Sequence, residues 1–225
     1  GVDSFGIDVK ADWQAILERE DGTVFRVQHH GRDLGVVDWK MAGRHNVMNA
    51  LAAIAALAAA GFDPCAALPL FTQFGGARRR LELLADRDGI RVYDDFAHHP
   101  TAIATTLAGL RARHPDGRLI AVLEPRSNSM RLGAHAQQLA PSLAEADVVL
   151  FLARPELAWN AARVIDALRG EGRLETTVDA LLANLAGIAR GGDTVVFMSN
   201  GGFDAAPTRY AASISAARSQ TRESI

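Results

Sequence analysis

Residues 92–101 read Val92-Tyr93-Asp94-Asp95-Phe96-Ala97-His98-His99-Pro100-Thr101. The β-prone run Ile90-Arg91-Val92-Tyr93 ends in two carboxylates, and two histidines and a proline follow at once. Proline suits a first helical turn, where its missing N–H would have found no partner. From Thr101 to Leu110 apolar residues recur at helical spacing, so the stretch reads as a strand, a short loop and a helix. Asp94, Asp95, His98 and His99 then fall at the carboxyl end of a strand, where open α/β sheets place their ligands. Two blander readings stand beside this one. The carboxylates cap the helix while the histidines are solvated, or Asp and His form a metal site. Crowding four titratable groups into one loop weighs against the first, and no second His or Cys cluster completes the second.

The rest of the C-terminal half repeats the pattern. Leu81–Arg87, an Asp88-Gly89 turn and Ile90–Phe96 form a hairpin-like start, and the helix from Pro100 ends near Arg113. Arg118–Leu123 is a buried-type strand, and a helix follows its loop to about Ala146. Then come a strand at 148–152, a helix around 157–168, a short strand near 174–178 and a helix at 179–190. The strand 194–198 and a helix from about 208 to 218 close the chain, with a frayed tail to Ile225. Alternating strands and helices call for a mostly parallel sheet covered on both faces. Polar loops end three strands, at 94–99, 124–131 and 199–202, and a doubly wound sheet opens all three on one edge. Arg126 and Arg131 around Ser127-Asn128-Ser129 are a carboxylate-binding composition. Ser199-Asn200-Gly201-Gly202 offers backbone N–H groups to an anion.

The first forty residues read as short antiparallel strands, 13–19, 23–28 and 34–39, resembling the tail of a larger domain. Gly43–Asn49 leads into an unbroken helix to Ala60, stopped by Gly61. Asn46 and Asn49, three apart, share a face of its first turn. Capping explains Asn46 but not Asn49, and an amide with donor and acceptor is what reading an adenine edge requires. Asp63-Pro64 starts a helix to about Phe74. Gly75-Gly76 and Arg78-Arg79-Arg80 then mark a domain boundary, between 1–76 and 77–225, where a guanidinium can reach a phosphate.

Composition narrows the function classes. The chain has 225 residues, 48% hydrophobic and 22% charged, the profile of a globular protein with one large or two small domains. A net charge of −2 gives no support to nucleic-acid or anionic-membrane binding. No segment has the character of a membrane span or a signal peptide. Cys65 stands alone, which precludes an intrachain disulfide and fits a reducing, cytoplasmic setting. Lysine occurs only at Lys10 and Lys40, so the chain carries no lysine-tipped phosphate loop.

Four motifs now resemble a known family. Gly43-Arg44-His45-Asn46-Val47-Met48-Asn49 with its Ala-rich helix is similar to the end of the central ATPase domain of the Mur ligases. Gly76-Ala77-Arg78-Arg79-Arg80-Leu81-Glu82 and the 92–101 stretch resemble the start of their C-terminal domain. Leu123-Glu124-Pro125-Arg126-Ser127-Asn128-Ser129-Met130-Arg131-Leu132-Gly133 and Met198–Phe203 look like the branch that adds a recycled murein tripeptide. The resemblance implies an α/β fold, with a Rossmann-like C-terminal domain preceded by the end of an ATP-binding domain. It implies a ligase that uses ATP and Mg²⁺ to join the tripeptide to UDP-N-acetylmuramate through an acyl phosphate, in cell-wall recycling. Carried over by motif, His45, Asn46 and Asn49 contact the adenine region, and Arg80 the phosphates. Asp95 and His98 hold the nucleotide and orient the cleft, so that Arg80, Asp95 and His98 are the catalytic set. Arg126, Ser127, Asn128 and Arg131, with Ser199 and Asn200, bind the peptide, the arginines facing its carboxylates.

The family's phosphate loop, Mg²⁺ ligands and UDP-sugar domain find no match in the chain, so the resemblance implies a C-terminal portion that does not turn over alone. After Phe203, Asp204-Ala205-Ala206-Pro207-Thr208 departs from the family's Gly- and His-containing continuation. Three rivals remain at this stage. They are the sibling ligase that adds L-alanine alone, a non-catalytic nucleotide- or peptide-binding module, and a metal-dependent hydrolase built on Asp94, Asp95, His98 and His99.

Overall fold

A computed structural model describes residues 3–222, with side chains to residue 214. The expected fraying near Ile225 lies outside the described residues. The chain divides into two compact units, Gly1–Ala77 with Ala108–Arg113, and Arg78–Leu107 with His114–Ile225.

The first unit carries β1 (Phe5–Ile7), β2 (Trp13–Leu17), β3 (Val24–His29) and β4 (Arg32–Asp38), in that order across one sheet. The β2–β3–β4 meander is antiparallel as expected, but β1 adds a parallel edge that a three-residue strand did not announce. Helix α1 (Arg44–Ala59) buries Val47, Ala50, Leu51 and Ile54, the i, i+3, i+4, i+7 stripe of a helix lying on a sheet. These residues join Trp13, Phe25, Val27 and Trp39 in one core. The expected helix to Phe74 is instead a single turn, α2 (Pro64–Ala67), followed by a 3₁₀ helix over Leu68–Gln73. Pro69 lacks the N–H that would continue an α-helical ladder.

The second unit follows the α/β alternation. Its elements are β5 (Glu82–Arg87), β6 (Ile90–Asp95), α3 (Pro100–Arg113, whose last six residues group with the first unit), β7 (Leu119–Leu123), α4 (Asn128–Arg131), α5 (Ala136–Ser142), β8 (Val148–Leu152), α6 (Ala162–Asp166), β9 (Glu171–Glu175), α7 (Val178–Ile188), β10 (Thr194–Met198) and α8 (Ala206–Arg222). The sheet order is β5-β6-β10-β7-β8-β9, parallel throughout except for the β5–β6 hairpin. Asp88 and Gly89, at φ 53° and 77°, make the tight turn of that hairpin. Every residue of β7, β8 and β10 is buried, as a sheet covered on both faces requires. Right-handed crossovers carry α3 to α6 over one face and α7 over the other, and α8, which follows the last strand, packs in the same core as α7. Val92, Ile120, Val122, Leu150, Val195 and Phe197 accordingly pack with Leu181, Leu185 and Tyr210.

Three expectations shift. The helix expected after the 124–133 loop, to about Ala146, is the shorter α5, and the loop itself winds one turn, α4, that ends at Gly133, whose φ of 79° and 2.8 Å clearance to the Trp159 ring admit no side chain. The 157–168 helix shrinks to α6, because 157–159 is drawn onto the 124–133 loop by Ala158 N–H to Arg131 O and Trp159 Nε1 to Met130 O. The strand expected near 174–178 is β9, three residues earlier, because Thr177 caps α7 by accepting from Ala180 N–H.

At the amino edge of this sheet Asp193, 2% exposed, receives a two-pronged bond from Arg118, Nε at 3.0 Å and Nη2 at 2.7 Å. The carboxylate holds the guanidinium pKa above its ordinary value. Arg118 also donates to Ile188 O, so one side chain ties β7, β10 and the end of α7. Replacing Asp193 with Ala leaves that cation without its counter-charge, and unfolding by urea is expected to show a loss of about 3 kcal/mol.

Candidate functional site

β10 is the last strand made, yet it lies between β6 and β7. Its chain leaves toward one face of the sheet, while β6 and β7 leave toward the other. Such divergence opens a crevice at the carboxyl ends of the strands. The 94–99, 124–131 and 199–202 loops therefore stand side by side.

Two carboxylates are buried there, one on each flank of β10. Asp95, 2% exposed, accepts from Leu81 N–H at 2.7 Å, Ala97 N–H at 2.8 Å and Thr106 Oγ1 at 3.1 Å. It thereby joins the end of β6, the 79–81 segment and α3. Glu124, 1% exposed, accepts from Ser199 Oγ at 2.7 Å and from Arg154 Nε at 2.6 Å. Arg154 reaches on to Asp204 at 2.9 Å, and Ser199 Oγ accepts from Gly201 N–H. Desolvation works against the Arg154 charge, but these two carboxylates outweigh it and raise the guanidinium pKa.

Arg79 is a third organiser. Its guanidinium donates to Ser199 O and lies 3.4 Å from Asp94, and its backbone N–H donates to Glu82. Burial, with Glu82 and Asp95 adding to it, pushes the Asp94 carboxyl above its ordinary range, although Arg79 pulls the other way. Arg80, which the sequence singled out, is exposed, with its guanidinium 5.4 Å from the centre of the Phe96 ring.

Other expected site residues divide by what their polar atoms already do. His98 Nδ1 lies 2.9 Å from Phe96 O, a contact only a protonated nitrogen makes, so Nε2 is the acceptor of the neutral ring. His99 is exposed and packs edge-on at 4.4 Å against His135. Ser127 caps α4, and Ser199 is wholly internal. Asn128, Arg126 and Arg131 are exposed. The stem of Arg126 lies on Gly201, where a Cβ would meet its Cγ at 2.7 Å. Asn200 Oδ1 is buried and meets no donor among the described residues. In the first unit Asn46 is not the cap. It lies inside α1, buried, with Nδ2 donating to Ala42 O at 2.7 Å, and Gly43 holds the N-cap position. Asn49 is exposed and His45 half-buried.

Sequence reasoning missed Arg79, Glu124, Arg154 and Asp204. Glu124 carried a signal, a lone acid closing an all-apolar strand. Arg154 carried none, for its partners lie 30 and 50 residues away. Pro125, Arg126, Arg131, Arg154, Glu156 and Leu157 line a cleft of about 260 Å³. Among the described residues no three His, Cys, Asp or Glu side chains converge as a metal ion requires. The Asp95 oxygens are moreover occupied by N–H and O–H donors, which removes the geometric basis for the metal-hydrolase reading.

Two family models match the chain. They are the Mur ligase middle domain over residues 2–57, and the Mur ligase, glutamate ligase domain over residues 79–201. The UDP-N-acetylmuramate–L-alanyl-γ-D-glutamyl-meso-2,6-diaminoheptandioate ligase of Escherichia coli K12 is 44% identical over 192 residues, 85% of this chain and 42% of that protein. The UDP-N-acetylmuramate–L-alanine ligase of Nitratidesulfovibrio vulgaris DP4 is 33% identical over 84% of this chain and 44% of its own length. A crystal structure of the murein peptide ligase of Psychrobacter arcticus superposes with a TM-score of 0.67 at 40% identity, covering 93% of this chain and 46% of that one. The chain thus spans less than half the length of these relatives. No helix among the described residues is long and apolar enough to cross a membrane.

A raised Asp94 pKa means that folding favours the neutral acid. The stability this contributes is complete below the unfolded value and is lost as pH rises through the folded one. Asp94→Asn is therefore expected to melt higher than the parent near neutral pH, the gap closing on acidification to about pH 4. A variant that melts lower at neutral pH would mean the Arg79 pairing outweighs burial.

Proposed function

The chain belongs to the Mur ligase family, and from that premise we propose that it is the C-terminal part of an ATP-dependent ligase. The ligase forms an amide between UDP-N-acetylmuramate and the tripeptide L-Ala-γ-D-Glu-meso-diaminopimelate, in the cytoplasm, as a step of murein recycling. Residues 1–76 are the end of the ATP-binding domain, and 77–225 bind the peptide. The observation that carries the reading is the pair Arg126 and Arg131, exposed guanidiniums that line one cleft at the carboxyl edge of the sheet. Neither has a hydrogen-bonding or ionic partner of its side chain among the described residues. Cations so placed await carboxylates, and a tripeptide brings several where L-alanine brings one.

When bound, ATP supplies the phosphoryl group that turns the muramyl carboxylate into an acyl phosphate. The residues of this chain position the partners of that reaction. In the first unit, His45 and Asn49 meet the adenine region, and Asn46 fixes the turn on which they stand. Arg80 lies exposed on Phe96 and answers phosphate charge, a role suited to a planar, always-charged fork. Asp95 spends its oxygens within the protein and acts by positioning the 79–81 segment and α3, while His98 borders the same loop. On the peptide side Arg126 and Arg131 bind carboxylates, with Asn128 beside them. Asn200 Oδ1 accepts from the incoming amine, which supplies the donor this buried oxygen lacks. Ser127 and Ser199 hold the loops that carry these groups. Holding amine and acyl carbon together lowers the barrier by paying in advance the entropy of bringing them into place. Among the described residues no three His, Cys, Asp or Glu side chains form a ready-made cage for Mg²⁺.

Phosphate release by the full-length gene product, given ATP and UDP-N-acetylmuramate, tests the proposal. Release is expected with the tripeptide and not with L-alanine, and Arg126→Gln is expected to raise the tripeptide KM about tenfold. Release with L-alanine alone would make the protein the sibling ligase.

A further inference from the structure

Arg80 is the cation to which the proposed reaction gives phosphate charge, and its exposed side chain has no hydrogen-bonding or ionic partner among the described residues. What it does have is a ring. Its guanidinium carbon stands 5.4 Å from the centre of Phe96, within the range of a cation–π contact. Arg79 approaches the same ring at 5.3 Å, but its charge is answered by Asp94 and one of its donors by Ser199 O. Phe96 itself directly follows the last residue of β6 and is half-buried. His98 packs against it nearly perpendicular, with ring centres 5.3 Å apart.

The backbone on both sides of Arg80 is strained and firmly held. Arg79 and Leu81 stand at φ 57° and 50°, left-handed values that a residue with a Cβ keeps only where its surroundings impose them. Arg79 N–H donates to Glu82 at 2.8 Å, and Arg79 O accepts from Phe96 N–H at 2.8 Å. Leu81 N–H donates to Asp95 at 2.7 Å. These bonds fix where the Arg80 side chain begins, not where it ends. A long arginine stem keeps many rotamers unless something meets its tip. A carboxylate there would hold the tip but cancel the charge that is to meet phosphate. A ring face holds it through the ring quadrupole and leaves both the charge and the N–H donors of the fork free.

We propose that Phe96 is a positioning residue, whose π face holds the Arg80 guanidinium at the end of β6 with its charge and donors intact for the phosphates of the nucleotide. The hold is electrostatic, so it depends on the electron-rich face of the ring and not on its bulk alone. The inference rests on the reading that Arg80 answers phosphate charge. It goes beyond that reading by giving the aromatic residue between Asp95 and the histidines a part in the reaction, exerted through Arg80 and without contact with the substrate.

The test uses the full-length gene product and reads kcat/KM for ATP and KM for the tripeptide from phosphate release. Phe96→Tyr and Phe96→Leu are compared with proteins in which phenylalanine 96 carries one, three or five ring fluorines. Fluorine drains electron density from the face while the ring stays apolar and close to its original size. Phe96→Tyr is expected to keep kcat/KM for ATP near the parent value. Phe96→Leu and the pentafluorinated ring are expected to lower it about two- to fivefold, with lesser fluorination falling between and the tripeptide KM unmoved. Arg80→Gln is expected to lower kcat/KM for ATP about tenfold or more, and in that background fluorination is expected to have no further effect. A pentafluorinated protein that matches the parent, while Arg80→Gln falls, overturns the inference and leaves the phosphate role of Arg80 standing. So does a fluorination effect that persists in the Arg80→Gln protein, since the ring would then act through Arg79, His98 or packing. An Arg80→Gln protein with unchanged kcat/KM for ATP overturns both.

Discussion

Burying a carboxylate is costly unless each of its oxygens meets a donor, and this site is built around two of them. Asp95 and Glu124 close the strands on either side of β10, and the donors they need come from everywhere but their own strands. Asp95 draws in the backbone at Leu81 and Ala97 and the hydroxyl of α3. Glu124 draws in Ser199 from the loop after β10 and Arg154 from the loop after β8. The loops that border the crevice are thus fixed by the demand of two buried anions, and that demand falls where the parallel sheet diverges to both faces.

This division of labour explains why several polar residues of the edge are internal while their neighbours are not. Ser199 is consumed, and Asn200 is not. Ser127 caps a helical turn, and the residues on either side of it, Arg126 and Asn128, are exposed. Arg79 binds the 199 carbonyl and Asp94, whereas Arg80 lies open on an aromatic face. In each case one member of an adjacent pair is held within the protein and sets the backbone from which the other projects.

The same division marks how far the sequence could be read. The strand–loop–helix unit at 92–101 and the alternation after it were legible because buried strands and amphipathic helices leave periodic traces. The hydrophobic stripe 47, 50, 51, 54 made α1 equally plain. What could not be read depended on strand order. Nothing local says that β10 inserts between β6 and β7, so nothing local says that Ser199 meets Glu124, or that Arg154 has a partner at all. For the same reason Arg80 was singled out where Arg79 carries the internal bonds, since the two are equivalent until the fold sets which one turns inward. The 134–146 and 157–168 segments kept helical spacing, but the contacts of Trp159 and Ala158 with the 130–133 turn overrode it.

The departure after Phe203 gains a physical meaning in this light. Phe203, Asp204 and Ala205 all have φ near +50°, a left-handed turn without a glycine among them. Such a conformation costs each of them on the order of 1 kcal/mol or more and persists only where the surroundings hold it. Two contacts do so. Phe203 is buried against Phe197 and packs in the core under α8, and Asp204 is bonded to Arg154. A glycine at 204 would relieve the strain but give up the carboxylate, and Arg154 would then face the cleft with one counter-charge in place of two. The non-glycine residue therefore does not merely interrupt a pattern. It supplies the carboxylate that meets Arg154, and it ties the geometry of the 203–205 turn to the loop after β8 through one ion pair.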